Sequence, residues 1–501
     1  MKAQLPENRL YFRTGISIPG RWGGNIFSIR VLIFGAITLT AIILRLYLSF
    51  SHDLILGIDG GYYPVQVRSI LKTGLLSFND VPLYFYFCAS IVKIISLLGF
   101  AITNDVIISV IKIVDSIALP LLAIPLYKIM IKNDQKLPFY SAAAILFFAI
   151  FSFSPFIMLG DLEKNAFALP LLVVYVYFLE DYLASPNQRN LIMTLISLFI
   201  IAFTHFGVFA FGLAFLTIPL LVTFGRKAIL PSLITIALGG VIIALFDFNR
   251  AFRLITFWNE IFARQNGFQG PMFLPLLLNT FISYALALFG IHQYRKHKHK
   301  TDKITGNIIL SLVVIIFIFA FPFYESQYVQ RFHVLLFVPQ SLLILYLIRM
   351  NQCVALPFTI SLALLTTAFI FIYLKEGKKP CIDELAYLDL RNLKSHIPAT
   401  RENTIVIARH GIEFWTAWNL NVKVGNDRSM DKLELDKYKN IIFLQYKNEE
   451  RHGPPGNGSL RTPQFFTGKD STDRPPRGAQ VPQDFKLIYS SPYFNAYQNL
   501  N

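Results

Sequence analysis

Residues 110–136 read VIKIVDSIALPLLAIPLYKIMIKNDQK, and residues 137–165 continue LPFYSAAAILFFAIFSFSPFIMLGDLEKN. Each half carries close to the about 20 apolar residues that a helix needs to cross a hydrocarbon core. The first half ends in Lys128, Lys132 and Lys136, and the second ends in Asp161 and Glu163. Short loops on the cytoplasmic side of a membrane are enriched in Lys and Arg, so the lysines are read as inside and the two acids as outside. This down-and-up pair sets the direction of every other apolar segment and makes the chain a polytopic α-helical membrane protein.

Composition agrees, because 54% hydrophobic and 15% charged residues among 501, with a mean hydropathy of +0.50, exceed what a soluble domain of this length carries. A net charge of +16 suggests a nucleic-acid partner at first sight. The basic residues instead fall in short gaps between apolar segments and form no basic face, so they report topology and no nucleic acid is expected. Cys88, Cys353 and Cys381 have no paired or metal-binding spacing and are read as free thiols. Arg9, Arg13, Arg21 and Arg30 precede a first apolar segment without a small-residue cleavage site, which is read as a retained helix.

Outward from the opening pair, helix one is expected over about 29–51, and it delivers Asp53 and Asp59 to the outside. A long outer loop then runs over 52–104. Within it PLYFYFCASIVKIISLLGF (82–100) is apolar enough to span, but counting it as a crossing would put the lysines outside, so it is placed in the interface. Further helices are expected at about 106–128, 138–158 and 166–183, then a hairpin over 190–225 turning near Thr204 to Gly207. The remainder lie at about 228–247, 272–291, 304–323, 331–348 and 353–374. HQYRKHKHKTDK (292–303), the most basic stretch, falls inside, and about 11 spans leave the C-terminus outside.

The transmembrane domain is thus expected over 1–375 and a small extracytoplasmic α/β domain over 376–501. The latter has strands TIVIA (404–408) and NIIFLQY (440–446) around a helical HGIEFWTAWNL, and a Pro/Gly-rich mobile loop at about 449–483. With the N-terminus cytoplasmic, the sequence fits either a bacterial plasma (inner) membrane or an endoplasmic reticulum membrane, and the former is expected because nothing demands secretory-pathway chemistry.

Three groups of residues carry chemistry. In GIDGGYYPVQVR (57–68), Asp59 is either a general base towards an acceptor hydroxyl or a helix cap in a glycine turn. Asp161 and Glu163 either hold a hard divalent cation such as Mg²⁺ or Mn²⁺ through oxygen, or cap the helix that follows. Arg331, opening a late helix in QRFHVLLFVP, either pairs with a phosphate at headgroup height or snorkels. His205 at a hairpin tip, and Arg250 and Arg253 in an outer loop, are further candidates for an anionic donor. Lys112 and Asp115, three apart on one helix, are expected to neutralise each other. No chain of intramembrane acids, internal repeat, Walker A, HExxH or GxSxG motif appears.

In order and sidedness, these features resemble the GT-C superfamily of integral-membrane glycosyltransferases. The layout over 29 to about 445 is most similar to oligosaccharyltransferase catalytic subunits. The likeness rests on VIKIVDSIALPLLAIPLYKIMIKNDQK, MLGDLEKN and QRFHVLLFVP. It implies that Asp59 contacts the acceptor or a metal, that Asp161 and Glu163 serve a metal and phosphate site, and that Arg331 binds the phosphate of a polyprenyl-linked donor. Where that family carries its WWDYG acceptor motif, this chain reads IARHGIEFWTAWNLNVKV (407–424), so the acceptor is expected to be a glycan, a lipid-linked sugar or a protein hydroxyl.

The expected activity is inverting transfer of a sugar from a polyprenyl-phosphate donor, with Asp59 as base. Arg331, His205, Arg250 and Arg253 would face the donor phosphate, and Tyr62, Tyr63, Glu325, His410, Glu413 and Trp415 would cover the site and meet the acceptor. The rival reading is a non-catalytic scaffold or lipid-binding subunit of an envelope assembly, favoured by the altered 407–424 segment and by Lys164 beside the acids.

Overall fold

The computed structural model describes residues 22–132, 137–246, 248, 261, 273–299, 301–397, 402–427, 434–447 and 485–499. Arg250, Arg253 and the 449–483 loop lie outside them.

A first helix α1 (Trp22–Phe50) leads into the outer-loop helices α2 (Tyr62–Thr73) and α3 (Leu83–Leu97). At 15 residues, α3 is shorter than the about 20 a crossing needs. The opening pair follows as α4 (Asn104–Ala118) with α5 (Ala123–Ile131), broken at Pro120, and α6 (Phe139–Phe151) with the short α7 (Phe153–Ile157). Then come α8 (Glu163–Ala184), α9 (Gln188–Thr204), α10 (Phe206–Phe224) and α11 (Ile229–Phe246). The bundle closes with α12 (Phe273–His297), α13 (Lys303–Phe319), α14 (Ser326–Leu335), α15 (Phe337–Met350) and α16 (Ala355–Glu376).

Among the described residues, eight helical runs are long and apolar enough to cross a membrane, and one of them, Phe206–Leu245, runs through α10 and into α11. α9 and α13 are apolar but shorter. Large side chains such as Leu32 (71% exposed), Leu245 (77%) and Phe371 (70%) face outward, as a lipid-solvated bundle requires. Inside, one apolar core joins α1 to the helices from α5 to α16, while the buried face of α4 packs with the outer-loop helices.

Polar contacts fix which helix ends lie together. Lys132, just after α5, pairs with Asp181 near the end of α8 at 2.7 Å. Arg349, near the end of α15, donates to the carbonyls of Ile129 and Met130 at 2.6 and 2.9 Å. Lys132 and Arg349 therefore lie at one end of the bundle, and the turns carrying Asp59 and Asp161 meet at the other.

The expected Lys112–Asp115 pair does not form. Lys112 donates instead to the carbonyls of His52 and Asp53 at 2.6 and 2.9 Å, capping the end of the α1 segment. Asp115 points into the bundle, where Arg45 of α1 lies 3.4 Å away and the Gly160 amide donates to it at 2.9 Å. Helical spacing brings i and i+3 side chains near each other, but burial lets each find a stronger partner on another segment.

At the acidic end sits a five-stranded sheet of order β2-β1-β3-β5-β4, formed by β1 (Thr404–Ala408), β2 (Lys423–Asn426), β3 (Asn440–Tyr446), β4 (Phe485–Ser490) and β5 (Phe494–Asn499). β1 pairs in parallel with both β2 and β3, and β5 runs antiparallel between β3 and β4. The linking helices are α17 (Glu384–Asn392) and α18 (Ile412–Leu420). A second core joins this sheet to the outer loop, with Tyr63, Tyr84, Trp415 and Trp418 in one cluster. The outer loop and the C-terminal domain thus share their hydrophobic interior.

Candidate active site

Two glycine turns set the site. Gly57 (φ +82°) and Gly160 (φ +80°) both adopt conformations that L side chains rarely reach. A Cβ at Gly57 would lie 1.9 Å from Asp161 Oδ1, and one at Gly160 would lie 2.4 Å from the Leu56 carbonyl. The two acidic loops therefore touch backbone to backbone. Asp161 Oδ1 accepts from the amides of Ile58 and Asp59, the latter at 3.2 Å. Its Oδ2 is 2.7 Å from Lys378 Nζ, which also donates to the carbonyls of Ile157 and Leu159 at 2.8 Å each.

Lys378 lies just past α16, where the chain is stitched to the same turn: the Gly57 amide donates to the Lys379 carbonyl at 3.0 Å and the Cys381 amide to the Gly57 carbonyl at 3.1 Å. Burial, reinforced by Asp161, pushes the Cys381 thiol well up, which leaves it a poor nucleophile.

Asp59 is left facing outward, its side chain 37% exposed. Its pKa is nevertheless pushed up to about 6, first because the surrounding protein strips water from the carboxylate and then by the charge of Asp161, with His410 opposing. His410 Nε2 stands 3.7 Å from Asp59 Oδ1, and His410 Nδ1 is 2.8 Å from Glu413 Oε1. These two come from the C-terminal domain. α18 can approach because Gly61 has no side chain: a Cβ there would sit 2.7 Å from the Trp415 nitrogen.

Around this centre Tyr63 hydroxyl donates to the Asp161 carbonyl at 3.2 Å and accepts from the Glu163 amide at 3.1 Å, tying the two acidic loops together. Burial holds the Tyr63 phenol well above its ordinary value, so it stays a neutral hydroxyl. Tyr62 hydroxyl and Lys164 both bond the Asp80 carboxylate.

The structure thus brings together Asp59, Asp161, Tyr62, Tyr63, His410 and Glu413. Trp415 is wholly buried in the shared core, edge-on to Tyr387 at 5.5 Å. Glu163 is also buried and accepts from Tyr84 hydroxyl at 2.5 Å. His205 caps α10, with Nδ1 accepting from the Val208 amide at 3.1 Å. Glu325 is buried ahead of α14 and Arg331 is exposed on it.

Asp161 and Glu163 therefore point to different partners, and among the described residues no three His, Cys, Asp or Glu side chains converge to hold an ion. The oxygens of Asp161 are occupied by two amides and an ammonium, so the pair as folded does not fit Mg²⁺ or Mn²⁺. Sequence reasoning missed Lys378 and Asp80. Lys378 looks like one of three linker lysines, and nothing local marks it as reaching back across more than 200 residues.

Between the outer loop and α9 lies an open groove of about 750 Å³, lined by Leu75, Leu76, Leu83, Tyr86, Phe199 and Phe203, with Asp80 at its edge. Its lining is mostly apolar, and Asp80 within it also bonds Tyr62 and Lys164.

No protein-family model matches the chain, and a comparison with curated sequences found no match. Among solved structures it is similar to ArnT from Cupriavidus metallidurans bound to undecaprenyl phosphate, at 11% identity and a TM-score of 0.47 over 94% of this chain and 98% of that one. The apo state of the same protein gives 10% identity and a TM-score of 0.49 over 95% and 98%. Both scores lie below 0.5, and the reading of the site rests on the chain's own residues.

Proposed function

We propose that this protein is an integral-membrane glycosyltransferase that moves a sugar, with inversion, from a polyprenyl-phosphate-linked donor to an acceptor hydroxyl at the acidic end of the bundle. The observation that carries this reading is Asp59: a partly exposed carboxylate on a turn whose amides are held by Asp161, with its pKa raised to about 6. A general base working near neutral pH needs these properties.

The acceptor oxygen attacks the anomeric carbon as Asp59 takes its proton. The bond from that carbon to the phosphate oxygen breaks, and the polyprenyl phosphate leaves with the electron pair. The apolar groove beside Asp80 suits the isoprenoid chain. Arg331, exposed on α14, is assigned to the donor phosphate, as are His205 and, outside the described residues, Arg250 and Arg253. No step is routed through a cation, because Lys378 already neutralises Asp161.

The test uses the purified protein in lipid nanodiscs with a panel of undecaprenyl-phosphate-linked hexoses and pentoses, reading release of undecaprenyl phosphate. Release by the wild type, lowered about 10²–10⁴-fold in Asp59→Asn, is expected. No release from any donor, or an Asp59→Asn variant that turns over at the wild-type rate, contradicts the proposal. EDTA should leave the rate unchanged, and loss of activity restored by Mn²⁺ would return Asp161 and Glu163 to a metal role.

A further inference from the structure

The C-terminal domain does more than cover Asp59. Gly411 (φ +93°) brings the segment 409–413 so close to the outer-loop turn that a Cβ there would meet the Ile58 carbonyl at 3.0 Å. That approach aims His410 at Asp59. Glu413, one helical turn on, is buried, and its Oε1 lies 2.8 Å from His410 Nδ1 and accepts from Asn426 Nδ2 at 3.3 Å. In a neutral imidazole, an Nδ1–H bonded to a carboxylate leaves Nε2 as the acceptor. Nε2 is the atom that faces Asp59 Oδ1.

We propose that His410 is the final proton acceptor of the transfer, taking at Nε2 the proton that Asp59 removes from the acceptor hydroxyl, with Glu413 as the residue that positions it. The inference rests on the glycosyltransferase reading. The proton count closes: the acceptor O–H bond breaks, the proton passes through the Asp59 carboxylate to His410, and the leaving phosphate carries the negative charge released. The imidazolium so formed lies between two carboxylates, Asp59 and Glu413, which stabilise it as it forms. The groups facing Asp59 include Asp161, His410, Glu413 and Lys164; those facing His410 include Asp59, Glu413 and the Phe414 ring. The path stays open to solvent, since His410 and Asp59 are each 37% exposed.

The test compares wild type, Asp59→Asn, His410→Gln and His410→Ala in nanodiscs, with unfolding midpoints measured in parallel. Release of undecaprenyl phosphate from its sugar-linked form is the readout. His410→Gln is expected to lower the rate about 10²-fold or more, and imidazole added to His410→Ala to restore part of it in a saturable way. A purely structural histidine would not show that rescue. Wild-type rates in His410→Gln, or no imidazole rescue in a folded His410→Ala, overturn the relay while leaving Asp59 as base. Absence of release in the wild type overturns the transferase reading and the relay with it.

Discussion

Asp59 works as a base only while its carboxylate is ionised. Its pKa is raised to about 6 by desolvation in the surrounding protein and by Asp161, so transfer should be slow at pH 5, climb as pH rises through about 6 and level off above 7. A pH–rate profile of wild-type protein measures this, and a rate falling over that interval would place the proton elsewhere. Asp59 was legible from GIDGGYYPVQVR as a choice between base and cap, and the structure leaves its side chain uncapped and outward.

The roles of the glycines were not legible. Gly57 looks like one of three turn residues, yet only there would a Cβ strike Asp161, so Gly57→Ala should abolish transfer by driving the two acidic loops apart. Thermal unfolding of the same variant should also fall, since a non-glycine residue at such a φ costs about 1–3 kcal/mol before any clash is counted. An unchanged activity would mean that the contact between the loops is dispensable.

Among the elements, apolar runs of the right length are set by local composition, so the helices fall where hydropathy places them, and the 404–408 and 440–446 strands follow from their β-branched content. Breaks inside the spans are also local, as at Pro120 between α4 and α5. Which side chains meet across elements is not local. Arg45, unremarkable in α1, donates to the Pro155 carbonyl at 2.6 Å and pairs with buried Asp115, and so pins α1 to α4 and to the approach to α8. Removing one partner of a buried pair strands the other charge, so Arg45→Met should cost about 3–5 kcal/mol, read as a lowered unfolding midpoint in detergent. Arg45→Met with Asp115→Leu should recover most of that loss, and failure to do so would assign it to packing.

For the whole molecule, the gathering of lysines and arginines at one end of the bundle and of acids at the other was legible in which loops carry them. The meeting of Lys132 with Asp181 at one end, and of the Asp59 turn with Asp161 at the other, gives that pattern a physical form. The sharing of one core between outer loop and C-terminal domain was not legible, because tyrosines and tryptophans more than 300 residues apart give no local sign that they pack together. A protein ending at residue 375 would leave Tyr63, Tyr84 and the α2–α3 pair without their cover. Limited proteolysis should then cleave within 62–97, a segment expected to resist the protease in the full-length chain.

The central claim is that a polyprenyl phosphate binds with its headgroup at the Asp59 turn. The most direct measurement is a cryo-EM structure of the full-length protein in nanodiscs with undecaprenyl phosphate. The account predicts phosphate density beside Asp59 and His410, with the isoprenoid chain running into the groove at Leu83 and Phe199. Phosphate density at the opposite, Lys132 end of the bundle, or an Asp59 turn closed over by side chains with lipid only on the outer helices, would contradict it.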